Sequence, residues 1–276
     1  MNYARAITLR VLRFLAVFRP VQAIATWLIR MLRPPSGNSV ASESLILVKS
    51  EIELLQHLRT NGFALGLNLG ADACVEVMRY AREHVFIANG SGNAVRPDQF
   101  HGEPKSHIFR RINPHLDCLV VRSLTNDTRL VTLAANYLGA TPILLNTQIW
   151  FSLPPPNPGK EDLNPEYGFH YDIDDFKFIK LFFYLTDVDM RAGPHVAIPG
   201  THKDHSMVKK LRRRLPPTGV AVYGEPFVFL GPAGTGFVED TSIYHKASVP
   251  LASRAVLQLE FALTPLLKMF ERPHGA

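Results

Sequence analysis

Hydrophobic and polar positions change rhythm twice along the chain. In the first stretch, Ile7, Val11, Phe14, Leu15 and Phe18 fall within an arc of about 100° on a helical wheel, and Arg5, Arg10, Arg13 and Arg19 lie on the other side. This predicts an amphipathic helix that ends near Pro20. A second apolar stretch runs from Val21 to Leu32 with Trp27 inside it, and Pro34 and Pro35 close the segment. Residues 51–59, 71–86 and 127–138 keep a helical period, and Asn61-Gly62 and Gly139 act as stops. From Pro142 onward the period shortens. Ile143 to Leu153, Phe178 to Thr186, Val220 to Leu230 and Ala255 to Leu263 are rich in β-branched and aromatic residues and are separated by Pro- and Gly-containing turns. Helices followed by many short strands predict a mainly β jelly roll flanked by helices, not an alternating α/β sheet. The loop Pro154 to Gly159 is too short to link domains and is placed at the mouth of the barrel.

Composition sharpens this picture in one place. The 276-residue chain carries a formal net charge of +6, yet residues 1–42 contain six arginines and no Lys, Asp or Glu, which leaves 24 basic against 24 acidic residues in the rest. The body is neutral, which argues against a nucleic-acid binder. The expected organisation is a basic N-terminal helical segment, 1–42, and one domain, 43–276, that holds the β-rich core. Neither apolar piece of the first segment reaches the roughly 20 residues that span a bilayer. Three readings compete for it: a helix in the membrane interface, a cover packed on the domain, or a targeting peptide. Cys74 and Cys118 form no CxxC pair and read as buried small hydrophobes in a reducing setting, so the expected location is cytoplasmic, or peripheral to the membrane through residues 1–33.

Candidate chemistry is concentrated in two places. His170 and Asp172 stand at i and i+2, which on a strand puts both on one face where they can chelate a metal together. A third ligand is offered by His245. Two imidazoles and one carboxylate on one face of an iron(II) ion leave open positions for co-substrate and dioxygen. Arg254 follows His245 by nine residues, and its planar fork suits the far carboxylate of 2-oxoglutarate.

Four pieces in this order resemble the phytanoyl-CoA dioxygenase family of 2-oxoglutarate oxygenases. They are His170-Tyr171-Asp172, the strand Leu181 to Val188, the run Gly193 to Lys203 with its Pro-Gly-Thr-His-Lys turn, and His245 through Arg254 to Gln258. The resemblance implies a double-stranded β-helix (jelly roll, cupin-like) core. It implies His170, Asp172 and His245 as iron ligands and Arg254 as anchor of the 2-oxoglutarate 5-carboxylate. Gln148 and Trp150 match a position that lines the co-substrate pocket, and Lys180 either points into the barrel to aid the co-substrate or reaches solvent from a strand edge. His195 departs from the family's hydrophobic residue and is either packed or within reach of substrate; Thr201, His202 and Lys203 are expected to hold their turn. Because Asp172 is retained, where related halogenases carry a small residue, the implied reaction is hydroxylation of an aliphatic carbon, or another oxidation without halide, with release of succinate and CO2. The substrate is a small molecule or a lipid-like one. Arg96 to Asn113, with His101, His107, Arg110 and Arg111, is a candidate lid. Two rivals remain, a cupin-like metal enzyme without 2-oxoglutarate and a non-catalytic binding protein on the same barrel.

Overall fold

The computed structural model describes residues 3–35, 44–48, 50–89, 91–102, 107–155, 167–204, 206, 209 and 212–270. Two sheets face each other. The large one has nine strands in the order β1 (Ile46–Val48), β2 (Phe63–Leu69), β10 (Thr235–Glu239), β7 (Phe178–Tyr184), β12 (Arg254–Ala262), β6 (Ile143–Ser152), β5 (Ile108–Ile112), β3 (Phe86–Ala88) and β4 (Ala94–Val95). The small one is β11 (His245–Ala247), β8 (His195–Ala197) and β9 (Phe227–Val228). All the pairings are antiparallel. This is the predicted mainly β jelly roll with flanking helices.

Every residue of β7 and β12 is buried, so these central strands show no simple in/out alternation of polarity. Parity instead assigns each residue to one of two interiors. Ile179, Leu181, Phe183, Ala255, Leu257, Leu259 and Phe261 join the core under the helices, and Phe182, Tyr184, Phe237 and Val256 join a second cluster between the sheets. Removing one such large side chain from water contributes about 1.5–3 kcal/mol.

Helices α3 (Glu51–Asn61), α4 (Ala71–Glu83), α5 (Leu119–Thr125) and α6 (Thr128–Leu138) cover the large sheet through Leu58, Val77, Val121, Leu130 and Leu138. Their ends follow local chemistry. Ser50 caps α3 by accepting the Glu53 N–H at 3.3 Å, and Asp127 caps α6 by accepting from Arg129 and Leu130. Gly62 and Gly139 close the same two helices at φ +84° and +85°, where an L side chain is strained. Cys74 and Cys118 are buried and free, as expected.

Four sequence expectations change. Pro20 does not end a helix: α1 (Tyr3–Ala16) stops first, and Pro20 sits in the first turn of α2 (Arg19–Leu32), where its missing N–H is harmless. The helix expected to run to Phe86 stops at Glu83, with His84 extended and Phe86 starting β3. Val220 to Leu230 is not a long strand. It holds a 3-10 turn, Pro217–Val222, and the two-residue β9, because Gly224 at φ +97° and Pro226 interrupt it. The candidate lid contains β5, which pairs with β6 from Ile108↔Ser152 to Ile112↔Gln148 and is part of the sheet. Residues 103–106 of that segment and 156–166 of the proline-rich loop region lie outside the described residues.

The helix pair packs on the body, and α1 does so by its narrower apolar face. Leu9 and Ala16 bury against Leu267 of α7 (Leu266–Phe270), while Ile7, Val11, Phe14 and Leu15 stay exposed. Arg33 donates to the Leu263 carbonyl, and Thr141 N–H donates to Arg33 O at 3.0 Å, which pins the end of α2.

Candidate metal and co-substrate site

The inner face of the large sheet carries rows of side chains set by strand register. Trp150, Val256 and Tyr184 form one row; Gln148, Gln258, Phe182 and Phe237 the next; Asn146, Glu260, Lys180 and Glu239 the third. Arg254 lies at the end beyond the first row, opposite Ser152. The face thus grades from a guanidinium through aromatic and amide groups to a buried charged row.

His170 and His245 come to this face from outside the large sheet. Their backbones exchange hydrogen bonds, His170 N–H to His245 O at 2.9 Å and the reverse at 2.8 Å, and Asp172 N–H donates to Thr241 O at 2.8 Å. The chain at His170 forms an isolated bridge, not the regular strand expected, yet it is extended enough for i and i+2 to meet. The ligand atoms of His170, Asp172 and His245 all lie within 4.8 Å of one another. His170 Nδ1 is 2.8 Å from Gly168 O and His245 Nδ1 is 3.1 Å from Ile243 O. Those carbonyls favour the Nδ1–H tautomer and direct each Nε2 toward Asp172, at 4.0 and 3.7 Å.

Electrostatics prepare the cluster for a cation. Burial lowers His245 to about 4, which keeps its ring neutral near pH 7. Burial alone would raise the Asp172 carboxyl, but Lys180, with His245 and His170, holds it well below the usual carboxylate range. Lys180 Nζ is 2.7 Å from both Asp172 Oδ2 and Asp174 Oδ2, so it points into the barrel and does not reach solvent. Lys268 completes the network at 3.1 Å from Asp174.

Arg254 is buried on the wall of the same narrow cavity as the three candidate ligands. One of its nitrogens donates to Gly193 O, its Nε has no hydrogen-bond partner, and no carboxylate among the described residues pairs with it. Gly193 is at φ +65°, and a Cβ there would lie 2.6 Å from Ser248 O, so only glycine brings that carbonyl into place. Trp150 lines the cavity and donates to Gln148 Oε1 at 2.8 Å, and Gln148 donates to Asn146 at 3.2 Å.

The remaining candidates separate by location. His195 is in the cavity wall, its ring 5.4 Å from that of His245 and 5.5 Å from Phe182, and its Nε2 is 2.6 Å from Glu239 Oε2. Burial lowers His195 to about 3, which leaves its ring neutral near pH 7, and raises Glu239 to about 7. Thr201 holds its turn by donating to Ile198 O and accepting from Tyr244 N–H, both at 2.9 Å. His202 Nε2 is 3.1 Å from Arg59 O, and Lys203 is exposed. Arg110 stacks over Trp150 at 4.5 Å, Arg111 pairs with Asp117 at 2.5 Å, and the His107 ring packs 5.7 Å from Tyr167. Glu239, Glu260 and Asp174 were given no role from sequence; Glu260 shares strand parity with Arg254 on β12, whereas Glu239 lies on another strand and Asp174 in the bend before β7.

A second cavity of about 620 Å³ opens beside the first and shares Asp172 with it. Its walls are the inward faces of α1 and α2, with Arg19, Thr26 and Arg30, and a barrel side that includes Tyr137, Lys209 and Asp240.

No family model matches the chain, and no curated protein matches it in sequence. Solved structures do match in fold. The non-heme α-ketoglutarate-dependent epimerase SnoN from nogalamycin biosynthesis superposes with TM-score 0.58 at 15% identity over 76% of this chain and 82% of its own. HygX from Streptomyces hygroscopicus, solved with nickel and 2-oxoglutarate bound, gives 0.55 at 13% over 76% and 86%. The non-heme α-ketoglutarate-dependent carbocyclase SnoK from nogalamycin biosynthesis gives 0.52 at 15% over 82% and 87%. What these proteins share with this chain is the jelly-roll fold.

Proposed function

We propose that this chain is an iron(II)- and 2-oxoglutarate-dependent dioxygenase of the phytanoyl-CoA dioxygenase type. It hydroxylates an aliphatic carbon of a small-molecule, lipid or lipid-linked substrate, with release of succinate and CO2. The observation that carries this reading is Arg254: a buried guanidinium with no acid partner among the described residues, on the wall that also holds the His-Asp-His cluster. A buried unpaired charge is costly. A dicarboxylate bound at the cluster would supply the missing anion, whereas a cupin-like enzyme without 2-oxoglutarate leaves Arg254 unexplained.

The donor set fits iron(II): two imidazole nitrogens and one carboxylate, with Nδ1 of each ring occupied by a backbone carbonyl. Bound there with 2-oxoglutarate and dioxygen, iron supplies the oxidising chemistry. The chain's own part is positional. His170, Asp172 and His245 hold the metal, and Lys180 keeps Asp172 ionised and fixed through its 2.7 Å contact. Arg254 anchors the 5-carboxylate, and Trp150, locked by Gln148, closes one side. Phe182, Tyr184 and Phe237 form an apolar wall that keeps water from the reacting groups. The retained carboxylate of Asp172 favours hydroxylation over halogenation.

The substrate belongs in the cavity of about 620 Å³ that touches Asp172, a volume within the range of small-molecule pockets. In its nickel and 2-oxoglutarate form HygX has also been solved with hygromycin B bound, and SnoN with nogalamycin RO, which supports a small-molecule substrate here. The test is succinate formation from 2-oxoglutarate with iron(II) in air. Wild type is expected to form succinate, His170→Ala and Asp172→Ala none, and Arg254→Ala to need far more 2-oxoglutarate. Equal succinate formation in all four proteins would overturn the assignment.

A further inference from the structure

The N-terminal helix pair is folded inside out relative to an ordinary cover. A helix laid on a soluble domain turns its widest apolar stripe inward. Here α1 exposes Ile7, Val11, Phe14 and Leu15, and α2 exposes Ile24, Trp27, Leu28 and Met31, each a run with i, i+3/i+4 spacing on one face. Trp27 is 60% exposed and Met31 67%. The faces turned toward the body are narrower: Leu9, Leu12 and Ala16 on α1, and on α2 Ile29 against the core, beside Arg19, Gln22, Thr26 and Arg30, which line the large cavity. The two axes meet at 97°, and no single helix among the described residues is long and apolar enough to cross a membrane.

From this arrangement we infer that the outward face of α1 and α2 docks the protein on an anionic lipid surface. Charge selects this occupant. Residues 1–42 hold six arginines and no acidic residue; Arg10 is exposed beside the α1 stripe, one turn from Ile7 and Phe14, while Arg5, Arg19 and Arg30 are exposed from the sides nearer the body and the cavity. Aliphatic side chains with a tryptophan, on a segment whose only charged side chains are arginines, suit the boundary between acyl chains and anionic headgroups. An apolar face of this extent is uncommon on a protein with no partner for it. Continuity with the large cavity points the same way, because Trp27 belongs both to the exposed stripe and to the cavity rim. The docking stands independently of the oxygenase reading.

The experiment is co-sedimentation of the full chain with vesicles of mixed phosphatidylcholine and phosphatidylglycerol, beside vesicles of phosphatidylcholine alone. The protein is expected to sediment with the mixed vesicles, less so in high salt, and Trp27 emission is expected to shift to the blue. Phe14→Ser with Met31→Ser is expected to lower partitioning by about tenfold or more, given the apolar area removed. Arg10→Glu should weaken it while leaving the stripe intact. Both variants change exposed positions, and an unchanged circular dichroism spectrum and melting temperature will establish that they fold. The inference is overturned if wild type stays in the supernatant with mixed vesicles. It is equally overturned if the chain forms a dimer in solution that the Phe14→Ser, Met31→Ser variant dissolves, because the face would then be covered by a second copy.

Discussion

Arg254 and the two glutamates of the charged row are the residues whose burial has measurable consequences. Removing one member of a buried charge-assisted contact costs about 2–5 kcal/mol. Arg254→Ala is therefore expected to raise the 2-oxoglutarate concentration for half-maximal succinate formation by roughly 30-fold or more, with iron(II) affinity in the absence of 2-oxoglutarate nearly unchanged. An unchanged requirement would remove Arg254 from the co-substrate site. Glu239 and Glu260 are raised from an ordinary 4.5 to about 7 and about 8, burial being the main cause in each. Between these values the folded chain binds protons that the unfolded chain has released. The stability they contribute is complete below about 4.5 and is lost as pH rises through about 7 to 8. The melting temperature of metal-free protein should fall from about pH 6.5 to about pH 8.5, and Glu260→Gln should flatten the upper part of that fall. A profile that stays level over this range in wild type would contradict the assignment.

At the scale of elements, the central strands carry the fold and the register of the site. Phe183 is fully buried on the helix side of β7, in the core of the large sheet. Phe183→Ala is expected to destabilise the protein by about 3–5 kcal/mol, read as a lower denaturant midpoint with an unchanged slope. β6, β7 and β12 were legible within one or two residues, because their runs of β-branched and aromatic residues are long and end at turns. α3 and α6 were legible from their helical period and from the stops at Asn61-Gly62 and Gly139. The short strands β3, β4, β8 and β9 were not, since two or three residues show no period and depend on neighbours distant in sequence. His170 and Asp172 were legible as a pair from their i, i+2 spacing, and His245 as their partner from the family resemblance; the three do meet. The buried row of Glu239, Lys180 and Glu260 was not, because its lateral register is decided by β10 and β12 pairing with β7. The facing of α1 and α2 was also hidden: the wheel separates apolar from basic positions but does not say which side meets the domain.

At the scale of the whole molecule, the jelly roll brings two cavities together at Asp172. One holds the candidate metal ligands and Arg254; the other lies under the helix pair and receives the substrate in our reading. A ligand that binds only the folded state stabilises it by about 2.7 kcal/mol at a hundredfold excess over its Kd. A redox-inert divalent metal with 2-oxoglutarate should therefore raise the melting temperature of wild type and leave that of Asp172→Ala where it was. The most direct test of the central claim is anaerobic titration of the purified protein with iron(II) and 2-oxoglutarate, followed by the weak visible charge-transfer band of the iron chelate. The account predicts that the band appears in wild type and is lost in His245→Ala. Iron binding without the band would contradict the 2-oxoglutarate assignment, and absence of iron binding would contradict the metal site itself.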